Sequence, residues 1–189
     1  MDPKTEQQIS RFLSLVLRHR PEELSLDIDP GGWVAVAPLV DGLNARFGIG
    51  QAELEHIVAN DGKARYTLAA GRIRANQGHS IPVDLGLVPL SPPPVLWHGT
   101  VARFLPAIEA EGLRPQGRHH VHLSPDIATA RQVGGRRGTP VILRIDAGGL
   151  AAAGHLFYQS ANGVWLTAFV PPDALSRADT DTQPEQERP

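Results

Sequence analysis

A proline-rich stretch from residue 81 to 95 most strongly constrains how this chain of 189 residues can fold. It holds five prolines, three of them consecutive at Pro92–Pro94, and it shows little apolar periodicity. Because proline fixes φ and lacks a backbone donor, no helix or central strand can run through it. We therefore predict a first lobe at 1–80 and a second at 96–176, joined by a stiff connection at 81–95. The polar residues 177–189 are predicted to be a disordered tail.

Apolar spacing divides the first lobe into helices and short strands. Apolar residues at helical intervals predict a helix from Thr5 to Arg20, ended by Pro21. Leu24, Leu26 and Ile28 alternate with polar residues, as in a strand. The predicted elements that follow are strand Trp33–Val36, helices Leu39–Phe47 and Gln51–Asn60, and strands Arg65–Leu68 and Arg72–Ala75. Helix, strand, two helices and hairpin is the order of a winged helix, a fold that often holds nucleic acid.

The second lobe mixes strands with short helices. Ser124, Pro125 and an acid after them predict a helix start with Ser124 as N-cap. The remaining predicted elements are strand Leu96–Thr100, a helix from Val101 that ends at Gly112, strand Val141–Ile145, and a hairpin of Leu156–Ser160 with Val164–Ala168.

The segment from Arg118 to Ser124 concentrates side chains that suit anion binding. Arg118, His120 and His122 alternate, so a strand would place them on one face. One fixed positive charge beside two neutral rings suits a phosphate-rich ligand, whereas the alternative is a solvated histidine-rich loop. The glycine–arginine loop Gly134–Arg137 is either a second phosphate contact or a solvated turn.

Composition excludes several function classes. The chain has no cysteine, which removes disulfides, thiolate nucleophiles and cysteine-based zinc sites. Its net charge of −2 excludes the basic surface of a non-specific nucleic-acid binder. We find neither a bilayer-spanning apolar run nor a signal peptide, so we expect a cytoplasmic protein with no membrane association. No HExxH-like helix accompanies the histidines, and we expect no metal.

Five stretches of the chain together resemble one family. They are Ser14–His19, Arg74–Ser80, His98–Thr100, Arg118 with His120–Ser124, and Asn162–Leu166. In this order they resemble the NAD-dependent RNA 2′-phosphotransferases, which act in eukaryotes at the last step of tRNA splicing. The resemblance extends from about Ile9 to Leu175 and covers both predicted lobes.

The resemblance implies an α+β fold: a winged-helix lobe that receives RNA, followed by an ADP-ribosyltransferase-like mixed α/β lobe that binds NAD. It implies a phosphotransferase with NAD as co-substrate and RNA carrying an internal 2′-phosphate as substrate. The 2′-phosphate would attack the nicotinamide-bearing ribose and expel nicotinamide, giving an ADP-ribosylated RNA 2′-phosphate. Attack by the ribose 2″-hydroxyl would then give 2′-hydroxyl RNA and ADP-ribose 1″,2″-cyclic phosphate. No metal and no obligate protein partner are implied.

The resemblance also assigns residues. Arg18, His19, Arg65 and Arg118 would be catalytic, with the arginines clamping the phosphate and offsetting its charge. His19 would either hold the 2′-phosphate or move a proton. The residues implied to contact NAD are His98, Gly99, Thr100, His122, Leu123, Ser124 and Val164. The residues implied to contact RNA are Ser14, Arg74, Asn76, Gln77 and His79.

Two other functions remain alternatives. An ADP-ribosyltransferase that modifies phosphorylated nucleic-acid ends, or another acceptor, would stop after the first step and form no cyclic phosphate. A non-catalytic winged-helix nucleic-acid binder would consume no NAD. The physiological RNA is open, and a role in RNA repair is an alternative to tRNA splicing.

Overall fold

The computed structural model describes residues 2–178 and separates them into two compact units. Within that range, the first unit consists of residues 2–89, 115–120 and 158–164, and the second of residues 90–114, 121–157 and 165–178. The two short segments carry Arg118 and Asn162 into the first unit. The predicted limits of the lobes, which follow the sequence order alone, stay a prediction. Across residues 2–178 the protein is a mixed α/β fold with three small antiparallel sheets and six α-helices.

Helix α1, Pro3–Arg18, opens the first unit. Asp2 caps it by accepting hydrogen bonds from the amides of Lys4 and Thr5, as an N-cap carboxylate does. The predicted apolar stripe is buried in the core of this unit. The helix ends two residues before the predicted Arg20 because Pro21 disfavours helical geometry in the residue that precedes it.

The remaining elements of the first unit form a small sheet and two helices. They are β1 (Val34–Ala35), α2 (Val36–Phe47), α3 (Gln51–Ala59), β2 (Tyr66–Ala69) and β3 (Arg72–Ala75). The sheet order is β1-β3-β2, with Val34 opposite Ile73 and Tyr66 opposite Ala75. The strand predicted from the alternation of Leu24, Leu26 and Ile28 is wrong. Pro21–Leu24 is a 3-10 helix, and Ser25 at φ 50° interrupts the extended backbone.

The second unit is built on two sheets. Its elements are β4 (Val95–Val101), α4 (Leu105–Glu111), β5 (Val121–Leu123), α5 (Ile127–Gly134), β6 (Pro140–Asp146), α6 (Ala147–Ala152), β7 (Phe157–Gln159), β8 (Trp165–Thr167) and β9 (Leu175–Arg177). The sheet orders are β4-β6-β9 and β5-β8-β7. The predicted hairpin is confirmed as β7 and β8, although β7 passes into the first unit at Tyr158. Strand β9 ends at Arg177, the first residue of the predicted tail, and residues 179–189 lie outside the described residues.

Helix α5 begins later than predicted. Ser124 is not its N-cap, because its backbone exchanges two hydrogen bonds with Trp97 and is held extended. Asp126 is the N-cap and accepts a hydrogen bond from the Thr129 amide at 2.7 Å. The helix predicted from Val101 also starts late, at Leu105, after one 3-10 turn.

A glycine contact sets how closely α5 packs on β4. A Cβ placed on Gly99 would lie 1.8 Å from the carbonyl oxygen of Ala130. A Cβ on Gly134 would lie 3.1 Å from the Cα of Gly99. The two backbones can therefore touch only because neither residue has a side chain. Among residues 2–178, no helix has the length and apolar character needed to cross a membrane.

Candidate functional site

The last residue of helix α1 places a guanidinium in the interior of the first unit. Arg18 is only 9% exposed. Within residues 2–178, no hydrogen-bond acceptor reaches its buried Nε and Nη2. Burial lowers the pKa of Arg18, and the positive charges of Arg118 and Arg65 lower it further. A buried charge without hydrogen-bond partners is costly, so an anion at this position would stabilise it.

Arg65 lies just before strand β2 and is held by a carboxylate. Its Nη1 donates to Asp61 Oδ1 at 2.6 Å, and its backbone amide donates to Asp61 Oδ2 at 2.7 Å. The Asp61 side chain is 7% exposed, while that of Arg65 is 26% exposed. Asp61 therefore fixes the backbone amide of Arg65 and one nitrogen of its guanidinium. The other guanidinium donors of Arg65 stay accessible.

Arg118 follows a tight turn in the 115–120 segment. Gln116 has a φ of +56°, and the Arg118 amide donates to the carbonyl of Pro115 at 3.2 Å. The side chain is exposed, and its charge lowers the pKa of both Arg18 and His19.

The predicted common face of Arg118, His120 and His122 is wrong. Strand β5 begins at Val121, so the first two residues precede it. Residues 118–120 form a bend instead of the extended strand that the alternation assumed. Arg118 and His120 belong to the first unit, where the His120 ring contacts that of Tyr158 at 5.6 Å between centroids.

Three guanidiniums of the first unit thus act on one another electrostatically. Arg65 and Arg118 both depress the pKa of Arg18, whereas Tyr66 and Asp61 oppose this shift, and Asp61 is the carboxylate of the two. Three positive charges against one negative charge leave an excess of about two. A phosphomonoester carries roughly −1.5 to −2 at neutral pH. The cluster of Arg18, Arg65 and Arg118, called the arginine cluster below, matches that charge.

His19 is the C-cap of α1 and is anchored by a serine. Its Nδ1 is 2.8 Å from Ser80 Oγ, and the Ser80 amide donates to the carbonyl of Arg18 at 3.0 Å. Burial lowers the pKa of His19, as do the charges of Arg18 and Arg118. The ring is therefore predominantly neutral at pH 7, so it offers one donor and one acceptor.

The turn before Ser80 packs against the same helix end. Gly78 has a φ of +88°, and a Cβ there would lie 3.6 Å from Arg18 Nη1. His79 is 2% exposed, and its Nε2 has no hydrogen-bond partner in the described part of the chain. Burial first, then the charge of Arg18, lowers the pKa of His79 to about 4. This buried histidine is uncharged at neutral pH, and its predicted contact with RNA stays a prediction.

Two of the residues predicted to contact RNA support the fold through hydrogen bonds. Tyr66 OH donates to the carbonyl of Ser10 at 3.0 Å, so Ser14 Oγ must be the donor in its 2.5 Å contact with that hydroxyl. Asn76 Nδ2 donates to the carbonyl of Ala64 at 2.7 Å, and its Oδ1 accepts from Thr67 Oγ1 at 2.6 Å. Both side chains are therefore committed within the first unit.

Two more of the five, Arg74 and Gln77, lie partly exposed on or beside strand β3. The guanidinium of Arg74 stacks on the Trp33 ring at 4.7 Å and donates to the carbonyl of Gly31 at 3.3 Å. Arg74 Nε is buried and has no hydrogen-bond partner within the described residues. Gln77 is half-buried in the bend that follows the strand. A stacked arginine that is partly exposed can still bind a phosphate by donating to its oxygens.

Most of the residues predicted to contact NAD lie on β4 and β5 of the second unit. His98 Nδ1 is 3.0 Å from the carbonyl of His122, so Nδ1 carries the hydrogen and Nε2 is the acceptor. Burial lowers the pKa of His98, the His122 carbonyl opposes this shift, and the charge of Arg137 adds to it. A neutral ring with a defined acceptor can hydrogen-bond a ribose hydroxyl.

The neighbours of His98 are engaged in the fold, and their predicted contacts with NAD stay a prediction. Gly99 provides the close contact with α5, and Thr100 is 7% exposed. Leu123 is 1% exposed in the core, and Ser124 pairs with Trp97 through its backbone. The last predicted residue, Val164, belongs to the first unit, where its amide donates to Ser160 Oγ at 3.2 Å.

Three groups that support the arginines and His19 were not predicted. Asp61 was given no role in the site, and Ser80 and Asn162 were named only within the stretches that resemble the family. Ser80 and Asn162 each had a local signal, since Ser80 closes the motif that begins at Arg74 and Asn162 opens the motif that ends at Leu166. The partners of Asp61 and Asn162 are visible only in three dimensions.

Comparison with known proteins gives consistent matches. The family model described as "RNA 2'-phosphotransferase, Tpt1 / KptA family" matches residues 4–169. A probable RNA 2′-phosphotransferase of Streptomyces griseus is 51% identical over 185 residues, which cover 93% of this chain and 98% of that protein. One from Hahella chejuensis is 53% identical over 188 residues, covering 97% of this chain and all of the relative (100%). One from Streptomyces coelicolor is 54% identical over 165 residues, covering 87% and 91%.

Proposed function

The chain belongs to the RNA 2′-phosphotransferase family, and we propose that it transfers an internal RNA 2′-phosphate to NAD. Membership in this family supports a transferase activity that acts on an RNA 2′-phosphate. The identity of the acceptor and the route through an ADP-ribosylated RNA are our proposal. We also propose that the first unit is a winged helix and the second an ADP-ribosyltransferase-like fold. The order helix, strand, two helices and hairpin in the first unit supports the former.

The observation that carries the proposal is the buried guanidinium of Arg18, whose Nε and Nη2 have no hydrogen-bond partner within residues 2–178. Evolution of a stable core disfavours such a group unless a ligand uses it. Arg65 and Arg118 add positive charge to that of Arg18, and the carboxylate of Asp61 offsets part of it. An anion with two charges and several acceptor oxygens satisfies this cluster, and a phosphomonoester is such an anion.

In the proposed reaction, the arginine cluster binds and orients the phosphate. When NAD is bound, its ribose supplies the carbon that the phosphate oxygen attacks, with loss of nicotinamide, and then the hydroxyl that attacks phosphorus and frees the RNA 2′-hydroxyl. The arginines offset the charge that accumulates on the phosphoryl oxygens in the second step. Because the nucleophile of the first step is already an anion, that step requires no carboxylate base.

His19 is proposed to contact the same phosphate. Ser80 fixes its Nδ1 at 2.8 Å, so the opposite nitrogen is the one available to substrate. The lowered pKa keeps the ring neutral, a state in which it can accept a proton from the attacking hydroxyl in the second step. The same geometry also suits simple binding of the phosphate, and the two roles differ in their pH dependence.

The fit of NAD to the second unit rests on His98. Its Nε2 is the acceptor, because the His122 carbonyl fixes the hydrogen on Nδ1. The neutral ring matches a ribose hydroxyl rather than a phosphate. Gly99 contributes to this position indirectly by letting α5 approach strand β4.

The test is to incubate the protein with NAD and an oligoribonucleotide that carries one internal 2′-phosphate, and to analyse the products. We expect nicotinamide, the 2′-hydroxyl oligonucleotide and ADP-ribose 1″,2″-cyclic phosphate in equal amounts. The same oligonucleotide without the 2′-phosphate is the control. Accumulation of ADP-ribosylated RNA would favour the ADP-ribosyltransferase alternative. No consumption of NAD would favour a non-catalytic RNA binder.

A further inference from the structure

The short segment that carries Arg65 is held at every carbonyl it presents. Residues 63, 64 and 65 precede strand β2, and Ala64 has a φ of +41°, which is strained for a residue with a Cβ. Asn76 holds two of the three carbonyls. Its side-chain Nδ2 donates to the Ala64 carbonyl at 2.7 Å, and its backbone amide donates to the Arg65 carbonyl at 2.8 Å. Such strain persists only when the surroundings fix the backbone.

The third carbonyl is held from far away in the sequence. Asn162 Nδ2 donates to the carbonyl of Lys63 at 2.9 Å, across 99 positions of the chain. Asn162 lies in the turn between β7 and β8, within the 158–164 segment of the first unit. Its Oδ1 accepts from Ser160 Oγ at 2.7 Å, so the amide group is fixed at both ends.

We propose that Asn162 is a positioning residue that acts through Arg65. It fixes the Lys63 carbonyl, and so keeps the strained backbone at Ala64 in the one conformation that leaves the Arg65 guanidinium on Asp61 Oδ1. Asp61 completes the arrangement, since it accepts from the Arg65 amide and from Nη1. This inference rests on the proposed function in one respect, namely that Arg65 binds the transferring phosphate.

A simpler role for Asn162 would be closure of its own turn. The bond from Ser160 Oγ to Asn162 Oδ1 and the bond from the Gly163 amide to the Ser160 carbonyl, at 2.9 Å, already close that turn. Neither of them uses Nδ2. The Asn162→Asp substitution keeps the Oδ1 acceptor and removes the Nδ2 donor, so it separates turn closure from support of Lys63.

The first measurement is amide hydrogen exchange at Ala64 and Arg65 in the full chain. Loss of one hydrogen bond should raise local opening, so exchange should become roughly 5–30-fold faster in Asn162→Ala and Asn162→Asp. Asn44→Ala is the matched control, because Asn44 Nδ2 also donates to a backbone carbonyl, that of Ile49, at 3.3 Å. Its exchange at Ala64 and Arg65 should match that of the unmodified protein. Unchanged exchange in both Asn162 variants would overturn the proposal.

The second measurement is a double-mutant cycle on turnover of the 2′-phosphorylated oligoribonucleotide. Asn162→Ala should lower kcat by roughly 5–30-fold with little change in the KM for NAD. In an Arg65→Lys background the same substitution should cost less than twofold, because the group it positions is gone. An equal loss in both backgrounds would refute action through Arg65. If the unmodified protein releases no 2′-phosphate, the proposed function fails, while amide exchange still decides whether Asn162 holds the segment.

Discussion

Replacing Arg18 with methionine should stabilise the protein while abolishing its activity. Methionine keeps an unbranched stem that can fill the same space, but it removes the charge and the two buried donors that have no partner within residues 2–178. It also removes the repulsion from Arg65 and Arg118 that lowers the pKa of Arg18. An enzyme that binds an anion tightly is expected to carry such a cost in its free state.

The magnitude follows from the unpaired groups. A buried donor left without a partner costs about 1–3 kcal/mol, and more if it is charged. Some of this is offset by the loss of long-range attraction to Asp61, so we expect Arg18→Met to raise the free energy of unfolding by about 1–3 kcal/mol. For a chain of this size each kcal/mol shifts the Tm by about 2–4 °C. Activity should fall at least about 10²–10³-fold, as for loss of a transition-state donor.

Thermal and urea unfolding would measure the stability, with Arg20→Met as the matched control. The Arg20 side chain is 62% exposed and pairs with Glu23 at 3.5 Å, so its replacement should change stability by less than about 0.5 kcal/mol. A 2′-phosphorylated oligoribonucleotide should stabilise the unmodified protein but not Arg18→Met. If Arg18→Met is less stable than the unmodified protein by more than about 1 kcal/mol, the guanidinium serves the fold and the reasoning is wrong.

Three further predictions concern His98, Gly99 and His79. His98→Ala should raise the KM for NAD more than the KM for RNA, and kinetics with each substrate varied in turn would contradict this if the order were reversed. Gly99→Ala should destabilise by at least about 1–3 kcal/mol, because its Cβ would lie 1.8 Å from the Ala130 carbonyl oxygen. Gly135→Ala, whose Cβ meets no atom within 4 Å, should be nearly neutral in the same unfolding assay, and equal losses would refute the packing argument. The pKa of His79 falls from 6.5 to about 4 on folding, so the unfolded chain takes up the proton first as the pH drops. The free energy of unfolding should therefore fall by on the order of 3 kcal/mol between pH 6.5 and 4. In His79→Gln the free energy of unfolding should fall less steeply over this range, and equal slopes in the two proteins would contradict the prediction.

Local patterns in the sequence predicted the helices and strands whose formation depends mainly on neighbouring residues. The apolar stripe of α1 placed Arg18 and His19 at a helix end, and the structure has them there. Strand β3 is found at the predicted residues, Arg72–Ala75. The errors occurred where a tertiary contact overrides the pattern. Ser124 has the chemistry of an N-cap, but its backbone is engaged by Trp97.

The supporting groups of the site could not be predicted from sequence, for a physical reason. The alternation from Arg118 to His122 predicts a strand, yet the chain bends at residues 118–120 and strand β5 begins only at Val121. Asn162 holds the segment of Arg65 over 99 positions, and no periodicity extends that far. The lack of hydrogen-bond partners for Arg18 Nε and Nη2 within residues 2–178 also could not be predicted from sequence, because it depends on which side chains surround Arg18 in three dimensions.

The central claim is that the arginine cluster recognises the 2′-phosphate itself. Its most direct test is the ratio of dissociation constants for two oligoribonucleotides that differ only in that phosphate, measured without NAD at fixed salt, for the unmodified protein and for Arg118→Met. Since a hydrogen bond to a charged group contributes about 1.5–3 kcal/mol, we expect the unmodified protein to prefer the 2′-phosphorylated strand and Arg118→Met to lose at least about tenfold of that preference. A preference that is unchanged in Arg118→Met would contradict the account.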